Sequence, residues 1–382
     1  MIARRPNRPG ATRTGIRLGR IAGIDIRADP SVAILALLIT YNLWPFFSDR
    51  FRFPNLRGGA AFGLAALTSI LFVLSILAHE LAHALLFRLR GIPVLGVTLH
   101  MFGGVTQGGS EAKRPWDEFI VAIAGPLTTG LLGGAFLLAR SGMESIDPNP
   151  VAAMFRYLGF LNVAIAIFNL LPGFPLDGGR VLLAGLWKIT GDRGRATRMS
   201  ARVGQAVAIV IGGAGLIDLL NSGNLWGIWP LLIGLMLFQS SSAALTQIRR
   251  RAVLEGATAG QIMSPPPPTI PAELPIAVAL EHHLAGHDGE AFPVMDEGRV
   301  VGFISPRMAA AVPLDRTVRD AMVGTDAAMA ASPEEPMGSL IERIGGGPVQ
   351  TVLVVKDGRL VGVIEPEDMD RFLRRTRGMR RA

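Results

Sequence analysis

At about 150 residues per domain, 382 residues make two to three domains. AVILMFWYC supplies 49%, and 46 glycines raise that share to about 61%, where soluble domains show roughly 45–50%. Charged residues fall to 18%, so an ordinary cytosolic enzyme and a disordered chain are excluded and a membrane-embedded protein remains. The net charge of +8 excludes no partner by itself, but zero cysteines exclude disulfides, thiolate metal sites and a cysteine nucleophile, leaving Asp, Glu and six histidines to hold any metal.

The chain opens on a basic tail, residues 1–30, with Arg4, Arg5, Arg8, Arg13, Arg17 and Arg20. A second cluster, Arg249, Arg250 and Arg251, also stands beside an apolar segment. Cations so placed mark the cytoplasmic side of a membrane protein. No recognition helix or aromatic-basic groove accompanies them, which argues against nucleic acid.

Apolar runs of helical length follow at 31–47, 60–87, 118–139, 151–171, 202–220 and 225–246, each near the roughly 20 residues that cross a bilayer. No small-x-small cleavage site follows Trp44 to Phe47, so the first run reads as an uncleaved span. An N-terminus in the cytoplasm places Arg88, Arg90, Lys113, Arg114 and Arg180 inside with the C-terminal third. Glu144, Asp147 and the segment Asn221 to Asn224 fall outside, and Arg50, Arg52 and Arg57 are the one basic cluster that dissents.

The second run ends in AHELAHALLFRLR, with His79, Glu80 and His83. Histidines four apart on a helix share a face, so both imidazoles reach one ion, and the intervening carboxylate can take a proton from a metal-bound water. Two histidines and a glutamate in a membrane helix are costly without partners and functional by default, a satisfied interhelical polar cluster being the alternative. Gly91 to Gly109 then alternates β-branched residues with glycine, which predicts a β-hairpin or re-entrant loop; a plain cytoplasmic loop is the other reading.

Catalytic zinc takes three protein ligands and keeps a position for water. His100 lies in the hairpin segment, and His282, His283 and His287 lie far along the chain in a polar setting. The better third candidate is Asp177 in FNLLPGFPLDGGR (168–180), where Pro172 and Pro175 end the fourth span and Gly178 and Gly179 let the backbone turn. Asp177 also reads as a turn aspartate capping a helix that begins near Arg180. Asn169, at the apolar end of the span, reads either as a donor to substrate backbone or to a developing oxyanion, or as interhelical glue.

From residue 252 the pattern becomes soluble α/β, and an internal repeat is visible: FPVMDEGRVVGFISP (292–306) realigns on LVVKDGRLVGVIEP (353–366), Gly298 on Gly358 and Gly302 on Gly362. Each copy reads as a helix start, strand, helix, two-strand hairpin and closing helix. This resembles a tandem pair of CBS domains, 252–312 and 313–382, the second ending in a basic tail. SPPPP (264–268) then opens the module, a flexible spacer being the alternative.

With HELAH on one span and Asn-x-x-Pro-x-x-Pro-x-Asp-Gly closing another, residues 20–372 resemble the site-2 protease family of intramembrane zinc metalloproteases, in its branch with a C-terminal CBS pair. The resemblance implies a polytopic α-helical domain over 31–251, with about six spans and a re-entrant β-hairpin, plus the α/β CBS pair. It implies Zn2+ on His79, His83 and Asp177, Glu80 as general base, a supporting role for Asn169, and family features at Gly103–Gly104 and AGP (124–126). Thr128 and Thr129 stand where members often carry Asn.

The implied reaction is hydrolysis of a peptide bond within or near a transmembrane segment. Implied substrates are single-span regulators such as anti-sigma factors or membrane-anchored transcription factors. The implied location is a bacterial inner membrane, with lipid as surroundings and no nucleic acid. CBS pairs bind adenine nucleotides, but here neither half is complete: Ser305 is kept with Met308 at the Asp position, and Asp368 is kept with Glu365 in place of the hydroxyl. Homodimerisation or substrate docking through the pair is the competing role. The rival reading of the whole chain is a catalytically silent membrane sensor or scaffold, against which the intact Glu80 argues.

Overall fold

The computed structural model describes residues 15–101, 103–108, 112–143, 149–223, 225–287, 292–324, 330–344, 351–357 and 359–379. Arg4, Arg5, Arg8, Arg13, Glu144, Asp147, Asn224, Gly109 and Gly358, used above, lie outside them. The chain divides into two compact units, one ending at Ile248 and the other starting at Arg249.

Among the described residues, six helices are long and apolar enough to cross a membrane, the last running from the first unit into the second. They are α1 (Ser31–Ser48), α2 (Gly58–Leu89), α3 (Pro115–Ser141), α4 (Pro150–Asn169), then, after a shorter α5 (Asp177–Thr190), α6 (Arg193–Ser222) and α7 (Ile228–Glu255). Their starts follow local chemistry. Pro115 and Pro150 open α3 and α4, where a missing N–H costs nothing; Asn149 accepts from the amides of Val151 and Ala152, and Asp192 from that of Arg195. Gly191, at φ +68°, closes α5 in the left-handed conformation.

Exposed Leu37, Ile70, Leu131, Leu138, Ile209 and Leu232 would be a liability in water and form a lipid-facing surface here. Large apolar side chains such as Phe47, Phe72 and Leu158 pack between helices, and small residues bring backbones together. A Cβ on Gly133 would stand 3.0 Å from the Gly159 carbonyl oxygen, so α3 and α4 meet backbone to backbone.

A four-stranded sheet of β1 (Ile16–Ile21), β2 (Ile24–Ala28), β3 (Val94–His100) and β4 (Gly103–Gly108), in that order, completes the unit. β3 and β4 form the hairpin expected from the Gly-rich stretch. β1 and β2 depart from the reading of residues 1–30 as a tail: they pair as a hairpin, and β2 runs parallel to β3, Ile26 opposite Val97. The scattered Arg17, Arg20 and Arg27 and a partner strand some 70 residues away concealed the alternation of Ile24 and Ile26.

Arg88 of α2 donates to the Ala22 carbonyl at the turn. Arg20, with Arg17 behind it, holds the Asp25 carboxyl down to about 2. Ile24, Val97 and Leu99 bury against Ala84 of α2, so the sheet rests on the helix turn that carries the HELAH segment.

The second unit holds two sheets. One is ordered β5 (Ile270–Pro271), β6 (Phe292–Asp296), β7 (Arg299–Ile304), β8 (Val323–Gly324). The other is ordered β11 (Arg359–Ile364), β10 (Val352–Lys356), β9 (Ala330–Ala331). The cores do not divide at residue 312. The opening helix Ala259–Ile262 packs with Val352, Val354 and Ile364 of the later copy, whereas Val318 packs with Ile270, Phe292 and Ile304 of the earlier one. Ser264 likewise exchanges both backbone hydrogen bonds with Val363. Each copy thus lends its opening segment to the other, and Phe303, Leu353 and Val363 join the two cores.

Candidate metal centre

His79, Glu80 and His83 lie on α2, about 32 to 38 Å along the helix from Gly58 at about 1.5 Å per residue. Asp177 is the first residue of α5. All four are buried, at 7%, 9%, 4% and 9% exposure.

Nε2 of His79 and of His83 stand 3.1 and 3.2 Å from Asp177 Oδ2, and 3.2 Å from each other. Among the described residues this is the one cluster of His, Cys, Asp or Glu able to hold a metal ion, all three ligand atoms lying within 4.8 Å of one another. Bonds of about 2.0–2.1 Å at tetrahedral angles place ligand atoms about 3.3 Å apart, close to the spacing seen.

Nδ1 of His83 lies 2.7 Å from the carbonyl oxygen of Val121 on α3. A neutral ring donating there presents a bare Nε2 lone pair to a carboxylate oxygen and a second imidazole. A cation among the three atoms would be bound by Nε2 of both rings and by Asp177 Oδ2 at once, so the donor set fits a divalent metal. The backbone leaves the space: a Cβ on Gly125 of α3 would stand 2.3 Å from His83 Nε2 and 2.4 Å from His79 Nε2. Gly125 belongs to the AGP segment singled out in the sequence, but no spacing rule pointed to its contact with both rings.

The loop before Asp177 is braced from three directions. A Cβ on Gly178 would meet the Leu170 carbonyl oxygen at 2.2 Å, and one on Gly179 the Gly173 carbonyl carbon at 2.6 Å. The two glycines therefore serve less as a turn than as the bare face of α5's first turn, against which residues 170–173 fold. Ser200 of α6 donates to the Gly179 carbonyl and Ser241 of α7 to that of Phe174, at 2.7 and 3.1 Å. Both serines are fully buried, and neither stood out in the sequence.

Gly104 of β4 lies against the base candidate: its added Cβ would fall 2.2 Å from Glu80 Cγ. Asn169 is the last residue of α4, half-buried; it makes no side-chain hydrogen bond among the described residues and none to the histidine–aspartate cluster. His100 ends β3 and takes no part in that cluster.

Two helical imidazoles and a carboxylate at a helix start, converging among membrane-length helices beside a buried glutamate, define a membrane-embedded metalloprotease. The profile of peptidase family M50 matches residues 67–144 and 132–211, and that of the CBS domain residues 259–314. Rip3 of Mycobacterium tuberculosis, a zinc metalloprotease by name, is 33% identical over 374 residues, covering 94% of this chain and 93% of its own. A Synechocystis protein with the same kind of name is 37% identical over 275 residues, 71% of this chain and 70% of its own. The solved site-2 protease from Methanocaldococcus jannaschii is 27% identical over 60% of this chain and 95% of its own, at a TM-score of 0.42. The chain belongs to peptidase family M50, the site-2 protease family.

Proposed function

We propose that this protein holds one Zn2+ on His79 Nε2, His83 Nε2 and Asp177 Oδ2 and hydrolyses a peptide bond within or near a transmembrane segment of a membrane-anchored regulatory protein. The observation that carries the reading is the convergence of those three atoms within 4.8 Å over the bare Cα of Gly125. When bound, zinc supplies a water of lowered pKa, about 7, and polarises the scissile carbonyl.

The chain's own residues do the rest. Glu80, next to His79 in sequence, takes the proton of the attacking water and returns it to the leaving amide nitrogen. Asn169, at the end of α4, donates to substrate backbone. A helical substrate hides its carbonyls and must unwind; β4, an edge of its sheet and in contact with Glu80 at Gly104, is the strand it pairs with. Single-span anti-sigma or transcription-factor substrates, a bacterial inner membrane and a cytoplasmic N-terminus and CBS pair complete the proposal. Arg88, Arg90, Lys113 and Arg114, near the histidine end of α2, support that orientation.

Glu80→Gln tests the chemistry. The full chain should keep one zinc and its melting temperature while cleavage of a co-expressed single-span substrate falls at least about a hundredfold. Zinc retained with cleavage unchanged would favour the silent sensor. His79→Ala should lose the metal itself.

For the CBS pair the residues favour a structural or docking role over adenine-nucleotide binding. Asp368, 4% exposed, has both oxygens engaged: Oδ1 accepts from Ser264 at 2.5 Å and from Arg371 at 2.9 Å, Oδ2 from the Glu365 amide at 3.0 Å. The expected result is no shift in melting with ATP or AMP. Ser264→Ala, which removes a hydrogen bond to a charged group, should cost this unit about 1.5–3 kcal/mol in denaturant titration.

A further inference from the structure

A second polar cluster lies near the metal centre: Arg180 closes the FNLLPGFPLDGGR segment, whereas its partners Glu118 and Arg193 belong to none of the motifs. Glu118, in the first turn of α3, has a side chain 4% exposed. Its Oε1 accepts from Arg180 Nε at 2.8 Å, and its Oε2 lies 3.8 Å from Arg193 Nη2 at the start of α6. A carboxylate this buried is kept only with cationic partners.

Arg180 stands one helical turn beyond Asp177 on α5, so whatever fixes Arg180 fixes the start of that helix. Its guanidinium also lies 5.4 Å from the ring centroid of Phe87, which is one turn beyond His83 on α2. Glu118 in turn stands three residues before Val121, whose carbonyl oxygen lies 2.7 Å from His83 Nδ1. The first two turns of α3 therefore hold both halves of the site: His83 through the Val121 carbonyl, and Asp177 through Glu118 and Arg180.

We propose that the Arg180–Glu118 ion pair positions the metal centre, setting the distance of Asp177 from the two imidazoles. The inference rests on the reading that His79, His83 and Asp177 hold zinc. Arg180 and Glu118 touch neither metal nor substrate in this account. They act through Asp177, as outer partners of metal ligands do when their loss costs about 10–100-fold in metal affinity. Nε–H and the planar fork matter: a lysine at 180 keeps the charge but not the geometry that meets Glu118 while lying over Phe87.

The test uses the full chain in detergent, with zinc affinity measured by chelator competition and the ligand field read from the visible absorption of the cobalt-substituted protein. Arg180→Gln and Glu118→Gln should each raise the zinc dissociation constant about tenfold to a hundredfold and alter the cobalt bands, with Arg180→Lys intermediate. Wild-type affinity and wild-type bands in folded Arg180→Gln would overturn the proposal, as would weaker binding with unaltered bands, which is the mark of general destabilisation. If Arg180→Gln does not fold, Arg180→Lys decides by the same two readouts, and its failure to fold as well would assign a purely structural role and overturn this one. His79→Ala separates the two readings. Zinc retained there defeats the metal assignment itself; zinc lost there, with the Arg180 variants unaltered, defeats only the positioning inference.

Discussion

Gly125→Ala is expected to strip the metal and abolish cleavage, although it adds one methyl to a buried position on a helix where alanine is the better helix former. That methyl would stand 2.3 and 2.4 Å from the Nε2 atoms of His83 and His79, about 1 Å inside ordinary contact. Neither ring has an easy retreat. His83 is held at 2.7 Å from the Val121 carbonyl, four residues from Gly125 on the helix with which it collides, and both rings are more than nine-tenths buried.

Metal ligands must sit within about 0.5 Å of their working geometry, so zinc should fall from one per chain to below about a tenth. Cleavage should drop at least about a hundredfold with it. Gly134→Ala is the control: it lies on the same helix, with open space where the methyl would go. It should keep both zinc and activity. Zinc bound at full stoichiometry and unaltered affinity in Gly125→Ala would show that the cradle between the rings is not where the ion sits.

How much of this could be read from the chain alone follows from which forces are local. The six spans were legible because crossing a bilayer demands some twenty apolar residues in a row, and such runs cannot be mistaken for surface helices. His79 and His83 were legible because helical periodicity places them on one face, and Asp177 because prolines and glycines around a lone carboxylate mark a deliberate backbone event. The N-terminal hairpin was not. β2 is held by parallel pairing to a strand on the far side of two spans, and the exposed Arg17 and Arg20 of its partner β1 read as a topogenic tail.

What Gly125, Ser200, Ser241 and the Glu118–Arg180 pair touch was invisible for one shared reason. Each acts on a residue at least 21 positions away in sequence, through a contact that no periodicity encodes. The CBS repeat was legible as a repeat, whereas the exchange of opening segments between its copies is a matter of tertiary packing: an Ala259–Ile262 helix fits either core equally well in sequence.

A second glycine should separate chemistry from metal binding. Gly104→Ala places a methyl 2.2 Å from Cγ and 2.7 Å from Cδ of Glu80, atoms too near the backbone of α2 to swing clear as a side-chain tip would. Either the carboxylate or strand β4 must move. The histidines and Asp177 are not among the nearest atoms the methyl meets, so zinc content should stay at one per chain.

If Glu80 moves, kcat falls by about a hundredfold to ten-thousandfold, the range a positioned general base contributes, with KM little changed. If β4 moves, the edge offered to an unwound substrate is displaced and KM rises. The two outcomes therefore report which side of the contact yields, and zinc analysis of the same sample distinguishes both from the Gly125 variant. Unchanged kcat and KM in a folded, zinc-loaded Gly104→Ala protein would mean that Glu80 has room the contact does not reveal, and that neither the carboxylate's position nor the strand beside it limits the reaction.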